Sequence, residues 1–396
     1  MDHLLTVDQV LPQDHARAVL IGRVWTEGLG PTLVRVTAEH VFDITGIAAT
    51  SSALLELDDP VGAVREIGGP RIGDTARILA NSASDRRDPA LPWFLAPCDL
   101  QAIKAAGVTF VASMLERVIE EQARGDAGRA EAVRKSVVGV IGDNLRSVKP
   151  GSEQAAKLRE VLIAQGVWSQ YLEVGIGEDA EVFTKAQPMS AVGIGADIGL
   201  HPKSVWNNPE PEIVLAVNSR GETRGCTLGN DVNLRDFEGR SALLLGKAKD
   251  NNASAAIGPF IRLFDADFGI DDVRNCELAM RVTARDGGFE MHGASSLSMI
   301  SRDPLDLVNQ TMGAPDARTH QYPDGFVLYL GTMFAPTQDR HGPGQGFTHE
   351  LGDRVSVTTP ALGMLVNQVT RSDTASPWTY GTSALMRDLA RRGLLA

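Results

Sequence analysis

The chain has 396 residues, of which 43% are hydrophobic and 22% are charged, and its formal net charge is −12. This composition is typical of a globular protein with two domains, or with one large and one small domain. The negative balance argues against a nucleic-acid binder and disfavours adsorption to an anionic membrane. No apolar run approaches the roughly 20 residues of a membrane span, and the first residues lack a secretory signal pattern.

Cysteine usage is sparse. Cys98, Cys226 and Cys276 are widely spaced and odd in number, which is typical of free thiols in a reducing compartment. No C-x-x-C or H-x-x-E-H motif indicates zinc. We therefore expect a cytoplasmic protein.

The first 92 residues predict a small α+β domain. Short strands are expected at 16–25, 32–37 and 41–45, because apolar runs alternate there with turn residues. Helices are expected to begin near Ser51 and at Pro60. The polar, proline-containing stretch 81–92 is the best linker candidate, so the predicted boundary lies at residue 92.

Residues 93–396 begin with a predicted helical region and continue as strands and turns. Apolar residues recur at helical spacing from residue 111 to 119, and a second helix is expected from Ser152 to Gly166. Both helices could close over a site downstream. Beyond residue 174 we expect helices only at 304–311 and 382–392. The glycine-rich run 193–199 departs from the dinucleotide fingerprint, and the loop 341–346 is a candidate to overhang the site.

The acidic stretch 206–259 carries the main chemical signal. Glu210 and Glu212 flank Pro211 at the start of an apolar strand, so both carboxylates project from one strand face. A return strand ends at a turn-prone triplet that contains Asp231. Three carboxylates without a nearby His or Cys suit a hard cation, with Mg²⁺ first and Mn²⁺ or Ca²⁺ behind it. The alternative is an acidic strand edge that faces water.

This stretch resembles the metal site of the fumarylacetoacetate hydrolase superfamily, in which an E-x-E strand start precedes an N-D turn and a lysine. The resemblance implies that the metal ligands are Glu210, Glu212 and Asp231. Lys247 and Lys249 compete for the lysine position. The interval to Gly258 and Pro259 favours Lys249.

Further matches extend the resemblance over roughly residues 93 to 370. Gly331 and Thr332 resemble the superfamily's G-T substrate turn, and the stretches 351–355 and 362–367 resemble its closing strands. The resemblance implies an α+β fold, in which the small N-terminal α+β domain precedes a mixed β-sandwich or roll catalytic domain at 93–396. It also implies a homodimer or homotetramer.

Hydrolases of this superfamily carry an N-Y-x-x-H-x-x-E pattern whose His/Glu pair activates water. The matching stretch is 109–116, where Ser113 stands at the histidine position. The base needed to split a C–C bond is therefore missing. Glu116 remains as a catalytic candidate, and its alternative is a solvated helix residue.

The branch that dehydrates 2-keto-3-deoxy sugar acids matches in more places. Its G-V-T-aromatic, E-x-F-x-K-A and P-E-P-E segments resemble residues 107–110, 181–186 and 209–212. The resemblance implies that Glu181 lies beside the substrate, and a surface strand residue is the alternative. Lys185 is expected to be structural or to pair with a carboxylate. Arg235 and Asp236 are expected to form an ion pair that braces the turn.

The expected function is Mg²⁺-dependent dehydration of a small 2-oxo sugar acid, a 2-keto-3-deoxy-pentonate, to 2,5-dioxopentanoate. Glu181 would remove the C3 proton and Lys249 would stabilise the negative charge that develops. The expected substrate contacts are Thr109, Phe110, Asn252, Gly331 and Thr332. Two alternatives stay open: a hydrolase or decarboxylase of a 2,4-dioxo acid, and a non-enzymatic sugar-acid binding protein.

The clustered carboxylates also predict a stability effect. Removing one of three like charges should relieve repulsion when no metal is bound. Metal-free Asp231→Asn protein is therefore expected to melt no lower than wild type.

Overall fold

The computed structural model describes residues 4–141, 148–164, 166, 168–334 and 336–395. The helices are α1 Val7–Val10, α2 Ser51–Leu55, α3 Pro60–Glu66, α4 Thr75–Asn81, α5 Val111–Ala123, α6 Ala127–Ile141, α7 Glu153–Ala164, α8 Gln170–Ile176, α9 Arg235–Glu238, α10 Leu245–Lys249, α11 Ile270–Arg274, α12 Pro304–Met312 and α13 Thr382–Arg391.

The strands are β1 Leu20–Thr26, β2 Gly30–Val36, β3 His40–Asp43, β4 Arg71–Asp74, β5 Trp93–Leu95, β6 Ala102–Gly107, β7 Glu181–Ala186, β8 Asp197–Leu200, β9 Pro211–Val217, β10 Thr223–Asp231, β11 Ala255–Leu263, β12 Glu277–Thr283, β13 Glu290–Ser296, β14 Gly313–Ala314, β15 Ala317–Arg318, β16 Phe326–Tyr329, β17 Arg354–Thr359 and β18 Gly363–Arg371.

Most of these strands form two large sheets. An 11-stranded sheet has the order β4-β3-β2-β1-β11-β10-β9-β16-β6-β7, with β5 paired to β1. A five-stranded sheet has the order β13-β12-β17-β18-β8. Leu228 of β10, Met280 of β12 and Leu365 of β18 belong to one buried core, so the two sheets pack face to face. The predicted α+β class with mixed β-sheets is confirmed.

The sequence pattern explains which strands are central. All seven residues of β9 are buried, as expected for a continuous apolar run in the middle of a sheet. In contrast, β12 alternates exposed and buried residues over most of its length, because one of its faces meets solvent. The central position of β9 puts the acidic residues at its start inside the protein.

The N-terminal segment contributes strands to the large sheet. β1 pairs antiparallel with β11, with Leu20 opposite Arg262, and it also pairs with β5. The large sheet therefore contains strands from both sides of residue 92. The domain boundary at residue 92 stays a prediction. Helices α2 and α3 occur near their predicted positions, and Pro60 is the first residue of α3.

Helices α5 to α8 pack around a second core that contains Met114, Val118 and Leu172. The two helices predicted in this region correspond to α5 and α7, and the Ser152 hydroxyl accepts a hydrogen bond from Ala155 N. The expectation of only two helices beyond residue 174 is wrong, because the short helices α9, α10 and α11 also form there. None of the helices in the described ranges has the length and hydrophobicity of a membrane span.

Candidate metal centre

Three buried carboxylates converge where β9 begins and β10 ends. Glu210, Glu212 and Asp231 each offer an oxygen within 4.8 Å of the others. Antiparallel pairing explains this meeting, because Gly229 lies opposite Glu212 and Asn230 lies opposite Pro211. Asp231 N also donates to the Glu210 carbonyl at 3.0 Å. The three residues are 1–2% exposed, which excludes an acidic strand edge that faces water.

Each carboxylate of this triad has a donor from the protein. Lys249 Nζ donates to Glu210 Oε2 and, at 3.0 Å, to Asp231 Oδ2. Lys185 Nζ lies 2.8 Å from Asp231 Oδ1. Gly331 N donates to Glu212 Oε2 at 2.7 Å.

Burial and neighbouring charge act differently on these carboxyl groups. Burial raises the pKa of Glu212 well above its usual range, and the Asp231 and Glu210 charges add to the effect. Burial also opposes ionisation of Asp231, but Lys185 and Lys249 lower the pKa of Asp231 below its usual value. The two lysines therefore favour the ionised form of Asp231.

The structure distinguishes the two candidate lysines. Lys249 is 2% exposed and contacts the triad, whereas Lys247 is exposed. Although burial disfavours its charge, Asp231, Glu210 and Glu238 raise the pKa of Lys249 above its usual value. These neighbouring carboxylates therefore favour the charged form of Lys249.

One face of β7 is directed at the triad. In a strand, residues two apart project from the same face, so Glu181 and Phe183 share one face, while Lys185 lies at a register shift between β6 and β7. Lys249 Nζ lies 5.6 Å from the centre of the Phe183 ring, and Lys185 pairs with Asp231. Glu181 therefore projects toward the same site, and Lys185 is the carboxylate partner that the sequence predicted.

The surroundings of Glu181 suit a proton acceptor. Gly107 lies opposite Glu181 in the sheet, and a Cβ on Gly107 would lie 1.8 Å from Glu181 Oε2. Burial raises the pKa of Glu181, against the opposing charges of Arg117 and Lys249. A glutamate with a raised pKa is matched to proton transfer near neutral pH.

Helix α5 contributes residues that the sequence did not single out. Arg117 donates to Glu210 Oε1 and, at 2.6 Å, to Glu120 Oε2. Arg117 also lies 3.2 Å from Glu238 Oε2, and burial raises the pKa of Glu238 to about 7. The spacing R-x-x-E of Arg117 and Glu120, one helical turn beyond Ser113, is the signal that could have identified this pair.

Glu116 is tied to arginines. Arg134 donates to both Glu116 oxygens at 3.0 and 2.8 Å, and Arg235 lies 3.5 Å away. No contact in the described part of the chain joins Glu116 to the triad. The expected Arg235–Asp236 ion pair is wrong, because Arg235 pairs with Glu120 while Asp236 accepts hydrogen bonds from residues 204 and 205.

Two predicted substrate-binding residues lie beside the triad. Gly331, whose φ is +96°, uses its N–H to contact Glu212. Thr109 Oγ1 donates to the Leu330 carbonyl at 2.7 Å, and a Cβ on Gly331 would lie 2.0 Å from this hydroxyl. Glycine is therefore required at position 331 both by its φ and by this close approach.

The other predicted substrate contacts have partners within the protein. Phe110 is buried at the start of α5, and its carbonyl accepts from Ser113 Oγ at 2.9 Å. Thr332 Oγ1 donates to the Phe334 carbonyl at 2.9 Å. Asn252 Nδ2 donates to Ser372 and Ser376 carbonyls at 3.1 and 3.2 Å, so the structure does not bring this amide to the triad. Their roles toward a substrate stay predictions.

The donor set of the site fits a divalent cation. The three buried side chains offer only carboxylate oxygens, the donors that Mg²⁺, Mn²⁺ and Ca²⁺ prefer.

The contacts of Asp231 with Lys185 and Lys249 change the melting behaviour that we expect for Asp231→Asn. The substitution leaves buried Lys185 without its anionic partner, and an unpaired buried charge costs on the order of 3 kcal/mol. We expect metal-free Asp231→Asn protein to melt below wild type and to gain no thermal stability from Mg²⁺. Thermal melts with and without Mg²⁺ measure both effects.

Asp14→Asn is the control for this prediction. Asp14 pairs with Arg262 outside the site, so its amide variant should lose stability but keep the gain from Mg²⁺. An undiminished Mg²⁺ gain in Asp231→Asn would remove Asp231 from the ligand set.

The fold is shared with solved structures of the fumarylacetoacetate hydrolase type. A fumarylacetoacetate hydrolase from Exiguobacterium antarcticum matches with a TM-score of 0.51 and 18% identity, over 89% of this chain and all of the other. A 2-keto-3-deoxy-D-arabinonate dehydratase complexed with magnesium and 2,5-dioxopentanoate matches with a TM-score of 0.60 and 19% identity, over 89% of this chain and 99% of that one. The predicted resemblance is confirmed at the level of the fold.

Sequence comparison finds two curated dehydratases. The chain is 32% identical over 200 residues to a probable 2-keto-3-deoxyxylonate dehydratase of Haloferax volcanii, over 50% of this chain and 63% of that protein. It is 29% identical over 189 residues to the 2-dehydro-3-deoxy-D-arabinonate dehydratase of Saccharolobus solfataricus, over 48% and 58%. The alignments thus span about three fifths of these relatives. No protein-family model matches the chain.

Proposed function

We propose that the protein is a hydro-lyase that dehydrates a 2-keto-3-deoxy-pentonate to 2,5-dioxopentanoate and depends on Mg²⁺. The observation that carries the proposal is that Lys185 and Phe183 of β7 contact Asp231 and Lys249, while Glu181 shares a strand face with Phe183. The proposed site thereby has a base, a cation and three carboxylates for a metal. The activities named for the two curated relatives support the same class of substrate.

The proposed reaction begins at C3 of the substrate. A divalent cation, held by Glu210, Glu212 and Asp231, would supply a Lewis acid for the 2-keto oxygen. Glu181 removes a C3 proton, and the Lys249 ammonium stabilises the negative charge that passes to the keto oxygen. Arg117 and Lys185 hold the Glu210 and Asp231 carboxylates in place.

Water leaves in the second stage. The C4–O bond breaks, the hydroxyl group takes up the proton that Glu181 removed from C3 and departs as water, and a C3–C4 double bond forms. Glu181, deprotonated again, then removes a proton from C5 and delivers it to C3, which gives the C4–C5 enol. The tautomer of this enol is the C5 aldehyde.

The contacts of α5 at the site support elimination rather than C–C hydrolysis. The side chain of α5 that contacts Glu210 is Arg117, and a guanidinium cannot accept a proton at neutral pH. The Ser113 hydroxyl donates to the carbonyl of Phe110. These contacts favour elimination over water-activated cleavage of a 2,4-dioxo acid.

Product analysis tests the proposal. The protein with Mg²⁺ is incubated with the 2-keto-3-deoxy derivatives of arabinonate and xylonate, and with a 2,4-dioxo acid, and products are followed by NMR. We expect 2,5-dioxopentanoate from at least one sugar acid, its loss with a chelator, and no pyruvate from the dioxo acid. Pyruvate formation would assign the hydrolase function, and no product from any substrate would favour a binding protein. Light scattering measures the homodimer or homotetramer that the resemblance implies.

A further inference from the structure

Arg117 joins helix α5 to a metal-ligand carboxylate. Its side chain is 7% exposed and donates to Glu210 Oε1, while Lys249 holds Glu210 Oε2. Arg117 also contacts Glu120 and Glu238. Arginine presents several donors in a rigid fork, so these contacts fix both the guanidinium and the Glu210 carboxylate.

Three cations lie in direct contact with the triad. Arg117 and Lys249 contact Glu210, and Lys185 and Lys249 contact Asp231. A divalent cation adds two positive charges beside these three cations. The carboxylate of a 2-oxo acid supplies one compensating negative charge, and the keto oxygen supplies the second when the C3 proton is removed.

We propose that Arg117 is a positioning residue that couples the binding of the metal to the binding of an anionic 2-oxo acid. Its charge weakens the hold of the triad on a divalent cation alone and strengthens the hold of the metal-loaded site on the anion. The identity of the anion rests on the proposed function. An arginine with a purely structural role would strengthen the binding of both ligands. Opposite changes in the affinities for the metal and for the anion therefore identify an effect of charge.

Calorimetric titrations test this coupling without turnover. Mg²⁺ is titrated into the protein with and without pyruvate, a 2-oxo acid that lacks a leaving group, and pyruvate is titrated into Mg²⁺-loaded protein. In wild type, pyruvate should lower the Kd for Mg²⁺ at least about fivefold. In Arg117→Gln, Mg²⁺ alone should bind about tenfold more tightly and pyruvate about tenfold more weakly, because one unit of positive charge is gone.

Two variants control for charge and for burial. Arg117→Lys keeps the positive charge. This variant should show neither the tighter Mg²⁺ binding nor the weaker pyruvate binding of Arg117→Gln. Arg262 is a buried arginine paired with Asp14 away from the triad. Arg262→Gln should therefore lose stability without changing either Kd.

A double variant guards against misfolding. Arg117→Gln leaves Glu238 without the arginine, whereas Glu120 keeps Arg235. If the single variant does not fold, Arg117→Gln with Glu238→Gln removes the unpaired carboxylate and should change both affinities in the same directions, less strongly.

The inference is overturned if pyruvate fails to tighten Mg²⁺ binding in wild type. It is also overturned if a folded Arg117→Gln variant binds Mg²⁺ no more tightly than wild type. The proposed function fails separately, on product analysis, and coupling with pyruvate would survive that failure.

Discussion

Replacing Glu181 with glutamine is expected to stop exchange of the substrate's C3 protons with solvent. The amide cannot accept a proton, while the triad and its lysines are untouched, so the metal and the 2-oxo acid should still bind. Loss of a general base lowers the rate by ~10²–10⁴-fold. Exchange is followed by NMR in deuterated solvent with Mg²⁺ and 2-oxobutyrate, which has C3 protons but no C4 hydroxyl to lose.

The pH dependence of the same exchange adds a second measurement. Burial raises the pKa of Glu181 above its ordinary value of 4.5. Only the deprotonated form acts as a base, so wild-type exchange should fall as the pH drops through this raised pKa. The residual exchange of Glu181→Gln should not show this fall with decreasing pH.

Glu116→Gln is the matched control for the base. Two hydrogen bonds from Arg134 occupy the Glu116 carboxylate, so exchange in this variant should stay near the wild-type rate. Wild-type exchange in Glu181→Gln would assign proton removal to another group, with Glu116 examined first. Loss of exchange in Ser113→Ala would instead implicate a water held by the Ser113 hydroxyl.

Local periodicity made much of the site predictable. The E-x-E spacing predicts two carboxylates on one strand face, whereas Glu181 and Lys185 were assigned through the resemblance of residues 181–186 to the dehydratase branch. Both assignments depend on a few neighbouring residues. The meeting of Asp231 with the other two carboxylates depends on the register between β9 and β10, which the turn between them determines.

Contacts between distant elements were not predictable in the same way. The amphipathic pattern of α5 predicts a helix, but it does not say that the charged side of this helix is buried. Arg117 and Glu120 are 7% and 1% exposed, because Glu210 and residues of α9 supply partners for their charges. Charged residues on a helix are usually solvated, so a pattern-based assignment treats them as surface.

The same physical reason explains the missed short helices. Helices α9 and α10 have four and five residues, too few to form on propensity alone. Contacts with α5 and with the triad hold them in place, through Arg235 and Lys249. Such helices follow from tertiary structure and leave little periodic signal.

Replacing Lys249 with methionine should abolish turnover while metal binding remains. Lys249 contacts Glu210 and Asp231 but is itself a cation, so its loss removes repulsion toward Mg²⁺. The developing charge on the keto oxygen then lacks its nearest ammonium group. Removing one such electrostatic donor lowers kcat by ~10²–10³-fold.

Lys247→Met provides a control two residues away on the same helix. Lys247 is exposed, so this variant should retain both wild-type kcat and Mg²⁺ affinity. Calorimetry with Mg²⁺ separates a lost metal from a lost catalytic charge, because Lys249→Met should bind Mg²⁺ at least as tightly as wild type. An active Lys249→Met together with an inactive Lys247→Met would show that the exposed lysine performs the chemistry. Weakened Mg²⁺ binding in Lys249→Met would mean that this lysine orders the carboxylates for the metal before it serves the substrate.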